Sequence, residues 1–120
     1  MLQYLKILNL VIDRKENIMK IDLHIHTHTG SDGALSVEEV VAEARRRNIG
    51  FMAVTDHDSV MAQEKAIALT KEYGIGYITG VELNVTFQPL KVKSVSLDFL
   101  GYNFDIKNQP LVEKLRLMCS

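Results

Sequence analysis

Two histidines, His24 and His26, stand two residues apart in Asp22-Leu23-His24-Ile25-His26-Thr27. On an extended strand that spacing puts both imidazoles on one face, so a rigid element offers two nitrogen ligands to one site. Thr55-Asp56-His57-Asp58 follows, with His57 thirty-one residues after His26, and Gly80-Val81-Glu82 brings a carboxylate twenty-five residues after His57. Each group closes an apolar, strand-like run. Imidazole and carboxylate together suit manganese, iron or zinc. A cation held by such groups lowers the pKa of a bound water. The pattern points to a metal-dependent hydrolase whose ligands sit at several strand ends. One histidine at a strand end is ordinarily just a polar tip at a surface. Several independent runs that all end in ligand-type residues are not explained that way.

The elements that must carry these groups alternate between strand and helix. Ile21 to Ile25 alternates apolar and polar as a half-buried strand does, and Gly30-Ser31-Asp32-Gly33 marks a tight loop. Ser36 followed by Glu39 forms a capping box, opening a helix with Val37, Val40, Val41 and Ala44 on one face. Asn48-Ile49-Gly50 ends it, and Phe51 to Thr55 reads as a buried strand. A second helix is expected over Met61 to Tyr73, stopped by Gly74, and a third strand over Tyr77 to Val81. That strand runs past Glu82 into Leu83 to Phe87, with Val95 to Tyr102 as its hairpin partner. Pro110 lies near the start of a last helix. Strand-helix-strand order implies parallel strands with right-handed crossovers, whose carboxyl ends gather ligands on one rim. Met52, Met61 and Met118 are expected to fill the core, and Tyr73, Tyr77, Phe87 and Phe99 to pack in it or under the hairpin.

At 120 residues, 47% hydrophobic and 24% charged, the chain is one domain at most, with enough apolar material for a core. A net charge of −1 excludes a sequence-wide attraction to nucleic acid or membrane. The basic run Arg45-Arg46-Arg47 falls late in a helix, where cations suit the C-terminus. A single cysteine, Cys119, rules out an intramolecular disulfide and fits a cytoplasmic location. Residues 1–18 read as an extension with natural initiation at Met19. Their apolar run from Leu2 to Ile12 is too short to span a bilayer and lacks a leader's basic start and cleavage site. The alternative is an added helix packed on the body or on another chain. Residues 19–120 then form the domain.

Asp22-Leu23-His24-Ile25-His26-Thr27, Ser31-Asp32-Gly33, Ala53-Val54-Thr55-Asp56-His57-Asp58-Ser59 and Gly80-Val81-Glu82 resemble the first three motifs of the polymerase and histidinol phosphatase (PHP) family, over Lys20 to Asp105. By pattern the nearest subgroup is that of nucleoside 3′,5′-bisphosphate phosphatases and RNA 5′-exonucleases. The resemblance implies an α/β fold, the N-terminal portion of a distorted (β/α)7 TIM-like barrel, incomplete in this chain. It also implies a phosphoesterase that hydrolyses a phosphate ester, of nucleotide or oligonucleotide type, with metal-bound hydroxide. Two or three divalent ions (manganese, iron or zinc) would occupy a complete site. On that reading His24, His26, Asp32, His57 and Glu82 hold metal, with Glu82 bridging, and His57 and Glu82 are the catalytic pair. Asp22, Asp56 and Asp58 would orient the imidazoles. The substrate would be a phosphorylated small molecule or a nucleic-acid end, with no membrane partner.

Three departures from the family pattern are visible. The loop from His26 to Asp32 is one residue longer than usual, leaving His28 as an alternative ligand beside its plainer reading as an exposed loop residue. A histidine expected three residues before Gly101 of Leu100-Gly101-Tyr102 is Asp98, read equally as a metal ligand or a solvated hairpin side chain. Later family ligands have no counterpart, His57 being the last histidine. The alternative function is therefore a catalytically incomplete fragment or metal-binding module that needs another chain or segment. Its open sheet edges would invite self-association.

Overall fold

Ser36 opens helix α1 (Val37–Arg46) with both halves of the capping box: its hydroxyl accepts from Glu39 N, and Glu39 accepts from Ser36 N. This satisfies donors that a helix start otherwise leaves bare. Val37, Val40, Val41 and Ala44 are buried along one face, as their spacing requires. Each fully buried valine contributes roughly 1.5–3 kcal/mol. Arg46 and Arg47 pair with Glu43, which is held down to about 2 by those two guanidiniums. Arg45 lies over the Tyr73 ring. The basic run is a helix end.

The structure, a computed structural model, describes residues 18–90 and 93–118. Residues 1–17 of the expected extension over 1–18, and Cys119, lie outside the described residues. Strands β1 (Lys20–Ile25), β2 (Ile49–Val54) and β3 (Gly76–Tyr77) form a parallel sheet in that order. Helix α2 (Gln63–Tyr73) follows β2, and β4 (Gly80–Phe87) pairs antiparallel with β5 (Val95–Tyr102). Helix α3 (Gln109–Met118) follows; Asn108 caps it by accepting from Leu111 N. The fold is α/β. Its core lies between the sheet and the two central helices, where Val37, Val41, Met52, Val54, Ala62 and Ala66 are fully buried.

Several elements differ from expectation. Residue Asn48, at φ 58°, turns the chain alone, so β2 starts at Ile49 with Gly50 inside it. There the Met19 side chain lies against Gly50, where a Cβ would come within 2.8 Å of it. Helix α2 starts two residues late because Ser59 Oγ accepts from Met61 N and Gln63 N bonds Val60 O in a turn. Met61 is therefore 77% exposed, not core, and Met118 is also exposed; Met52 alone of the three is core. The third strand is split. The reason is Gln63, fully buried, whose Nε2 donates to Val54 O and Gly80 O while its Oε1 accepts from Tyr77 OH and Gly80 N. A side-chain amide stands where a ladder rung would lie. Burial first, and then the nearby Asp56 carboxylate, push the Tyr77 hydroxyl far up, keeping it a donor.

Substituting Gln63→Leu leaves both carbonyls and the Tyr77 hydroxyl without these partners. The expected loss is about 2–4 kcal/mol, read by urea unfolding; a loss under about 0.5 kcal/mol would show that the amide is not the strut. The hairpin is also less covered than expected. Phe87 and Phe99 are 58% and 52% exposed, and with Val85, Val95 and Leu97 they line one uncovered face. Alternation forces this, because Glu82, Asn84 and Asp98 take the other face.

Candidate metal centre

Glu82 is placed by backbone before side chain. Its N–H donates to Asp56 O at 3.0 Å and its carbonyl accepts from Asp58 N at 2.9 Å, straddling His57 in a parallel bridge. Residues paired this way project to the same side of the sheet. Across from them β1 ends, with Thr55 N bonded to Ile25 O at 2.7 Å. This brings its two histidines onto the same rim.

The buried Glu82 carboxylate stands among three imidazoles. Oε1 is 2.9 Å from His24 Nε2, and Oε2 is 3.0 Å from His26 Nε2 and 2.9 Å from His57 Nδ1. Asp32 lies on the outer side, 3.0 Å from His26 Nδ1 and 3.5 Å from His57 Nε2. The rings crowd, with centroids 5.2 Å apart for His24–His26 and 4.3 Å for His26–His57. Two overlapping triads result, His24–His26–Glu82 and His26–Asp32–His57, each with ligand atoms within 4.8 Å of one another. Desolvation pushes the Asp32 carboxyl up, but His57, its own backbone amide and His26 outweigh it, so it sits below its ordinary range.

The loop that carries Asp32 is latched from below. Asp56, fully buried, accepts from Thr27 N (2.6 Å), Thr27 Oγ1 (2.8 Å) and Ser31 Oγ (2.7 Å). Glycine is required at Gly30, because a Cβ there would come within 2.1 Å of Asp56 Oδ2. Each of the three flanking aspartates bonds a group other than an imidazole. Asp56 holds the loop, Asp22 Oδ1 accepts from His24 N at 3.2 Å, and Asp58 Oδ1 accepts from Asn84 N at 3.4 Å. Among the described residues neither Asp98 nor His28 belongs to a triad. Asp98 accepts from Asn84 Nδ2 at 2.8 Å across the hairpin, and His28 is exposed with its N–H on Leu35 O.

Whether these residues fit a cation is answered by His26 Nε2. It is buried and makes no hydrogen bond, although Glu82 Oε2 lies 3.0 Å away. A buried polar atom of this kind needs a partner, and imidazole nitrogens gathered around a carboxylate are a donor set for manganese, iron or zinc. They fit. A model of the PHP domain matches residues 22–114, most of the chain and every ligand candidate named above.

The chain belongs to the PHP domain family. Among its relatives, a 5′-3′ exoribonuclease of Haemophilus influenzae is 39% identical over 80 residues, 67% of this chain and 29% of that protein. A 3′,5′-nucleoside bisphosphate phosphatase of Chromobacterium violaceum is 40% identical over 77 residues, 64% of this chain and 27% of that protein. The structure of a Chromobacterium violaceum amidohydrolase, with bound sulfate and no metal, superposes with a TM-score of 0.73 at 33% identity, covering 82% of this chain and 32% of that one. This PHP chain thus spans less than a third of the length of these relatives. The exoribonuclease and the bisphosphate phosphatase are of the subgroup that the motifs suggest.

Sequence reasoning missed Thr27 and Ser31 as the partners of Asp56, and Gln63 as the strut. Gln63 had a signal: with Ala66 and Thr70 it holds the buried positions of α2, and a polar residue on a buried face must bond something.

Proposed function

We propose that this PHP chain carries the metal-holding front of a phosphoesterase that acts on phosphate esters of nucleotide or oligonucleotide type. The observation that carries this is the Glu82 carboxylate, in reach of three imidazoles from two different strand ends. His24, His26, Asp32, His57 and Glu82 would hold divalent cations, with His57 and Glu82 also assigned to the reaction. When bound, such cations supply an activated water and charge neutralisation at the phosphoryl group. The protein's own part is to hold the donors in place. Asp56 fixes the Asp32 loop, Asp22 the backbone of His24, and Asp58 the backbone of Asn84. Asp98, on the Glu82 face of the hairpin, is proposed as a further ligand on releasing Asn84. The activities of the relatives, an exoribonuclease and a nucleoside bisphosphate phosphatase, support the substrate class. The parallel strands and hairpin are read as the first part of a (β/α)7 barrel, and the single cysteine supports a cytoplasmic location. No described helix is long and apolar enough to cross a membrane.

The uncovered apolar face of the hairpin favours a second reading, a metal-binding piece completed by another segment or chain, with self-association through its open edges. Elemental analysis of protein purified without chelator separates the two. Two or three manganese, iron or zinc ions per chain are expected, with turnover of a nucleoside bisphosphate or a 5′-phosphorylated oligonucleotide that His57→Ala abolishes. One ion and no turnover would leave only the second reading; no ion at all would defeat both.

A further inference from the structure

The ligands reach the rim from two separate sheets, because His24 lies on β1 and His26 just past its end, while Glu82 rides on the β4–β5 hairpin. β4 meets the parallel sheet through the His57–Glu82 bridge beyond the end of β2. That rung fixes Glu82 against His57. It reaches β1 indirectly, through β2 and the bond from Thr55 N to Ile25 O. β1 is also irregular where its distance from Glu82 matters, its register with β2 shifting between Asp22 and Ile25, the stretch that contains His24.

Tyr102 spans this gap. It is the last residue of β5, opposite Gly80 at the start of β4, and its hydroxyl donates to Leu23 O at 2.6 Å. Leu23 immediately precedes His24. The hydrogen bond therefore clamps the carbonyl of the irregular segment to the hairpin two residues before Glu82. The Tyr102 ring is a rigid spacer with few rotatable bonds, suited to setting a distance. Burial, with the Asp22 and Glu82 carboxylates nearby, raises its pKa, so it remains a donor. Asp22 Oδ1 holds His24 N on the other side of the same peptide run. Between them the two contacts fix both backbone groups that flank the Leu23–His24 step.

We propose that Tyr102 is a positioning residue for the metal centre: by holding the Leu23 carbonyl it sets the separation between the His24–His26 pair and Glu82. This rests on the metal reading above. A merely structural tyrosine would lower stability without changing how cations bind. A positioning tyrosine changes cation affinity, because the ligands must then be ordered by the cation itself.

The test is titration of the full chain with Mn2+ alone, alongside thermal melting in chelator. Tyr102→Phe keeps the ring and removes the hydroxyl; Tyr73→Phe, at the end of α2 under Arg45 and against the core, is the control. The expected result is Mn2+ binding roughly three- to tenfold weaker in Tyr102→Phe, the scale of one hydrogen bond, with Tyr73→Phe unchanged. Equal Mn2+ affinity in Tyr102→Phe and the parent chain, whatever the melting temperature, overturns the positioning role and leaves the metal reading intact. Parent protein that binds no Mn2+, and no Zn2+ or Fe2+ in the same titration, overturns the metal reading, and the proposal with it.

Discussion

Glu82→Gln lowers divalent-cation affinity by roughly 100-fold or more, while the chain stays folded. Groups that only orient a ligand already cost about 10–100-fold when removed, and Glu82 is nearer the centre than any of them. Its two oxygens meet His24, His26 and His57 at 2.9–3.0 Å. Glutamine keeps the length and one oxygen but replaces the other with an NH2 group, which has no lone pair to give a cation and cannot bridge. The backbone rung from Glu82 N to Asp56 O and from Asp58 N to Glu82 O is untouched, so the substituted side chain still points at the imidazoles. Isothermal titration with Mn2+ or Zn2+ reads the effect, with circular dichroism to confirm folding. An affinity within about threefold of the parent would remove Glu82 from the centre, since three-fold is well below what losing even an orienting group costs.

Asp56→Ala costs about 3–5 kcal/mol of stability and frees the loop that presents Asp32. The carboxylate is fully buried and accepts three hydrogen bonds, two of them from Thr27. Bonds to a charged acceptor are worth about 1.5–3 kcal/mol each, and a buried N–H left bare adds its own desolvation cost. The hydroxyls of Thr27 and Ser31 can turn to other acceptors, which keeps the total below the simple sum. Asp56→Asn should recover a good part, because its oxygen still serves Thr27 N and the hydroxyls can rotate to accept. Urea unfolding measures both variants. A loss under about 1 kcal/mol for alanine would mean that the latch is not what orders residues 27–33.

These two substitutions separate what a carboxylate does at the rim from what it does beneath it. Sequence reasoning placed Asp56 beside an imidazole because it precedes His57, yet in a strand neighbouring side chains point to opposite faces. His57 faces the rim. Asp56 turns inward, where the buried Thr27 and the half-buried Ser31 meet it. The same alternation separates the two faces of the hairpin, putting Asn84 and Asp98 with Glu82 and leaving Phe87 and Phe99 to the open side.

Local chemistry determined much of this protein. The capping box at Ser36, the apolar face of α1, the left-handed stop at Gly74 and the β-hairpin all follow from interactions over a few residues, so periodicity and turn chemistry reveal them. The ligand types were equally legible, since a two-residue spacing on a strand presents His24 and His26 together. Only the tertiary structure decided the partners, because those contacts join residues far apart in the chain: Glu82 to three histidines, Asp56 to Thr27, Gln63 across the split strand. A one-dimensional pattern records which face a residue takes in its own element. Which faces meet is set by how the sheets pack, and there a single buried amide such as Gln63 can interrupt a strand that the local sequence would otherwise continue.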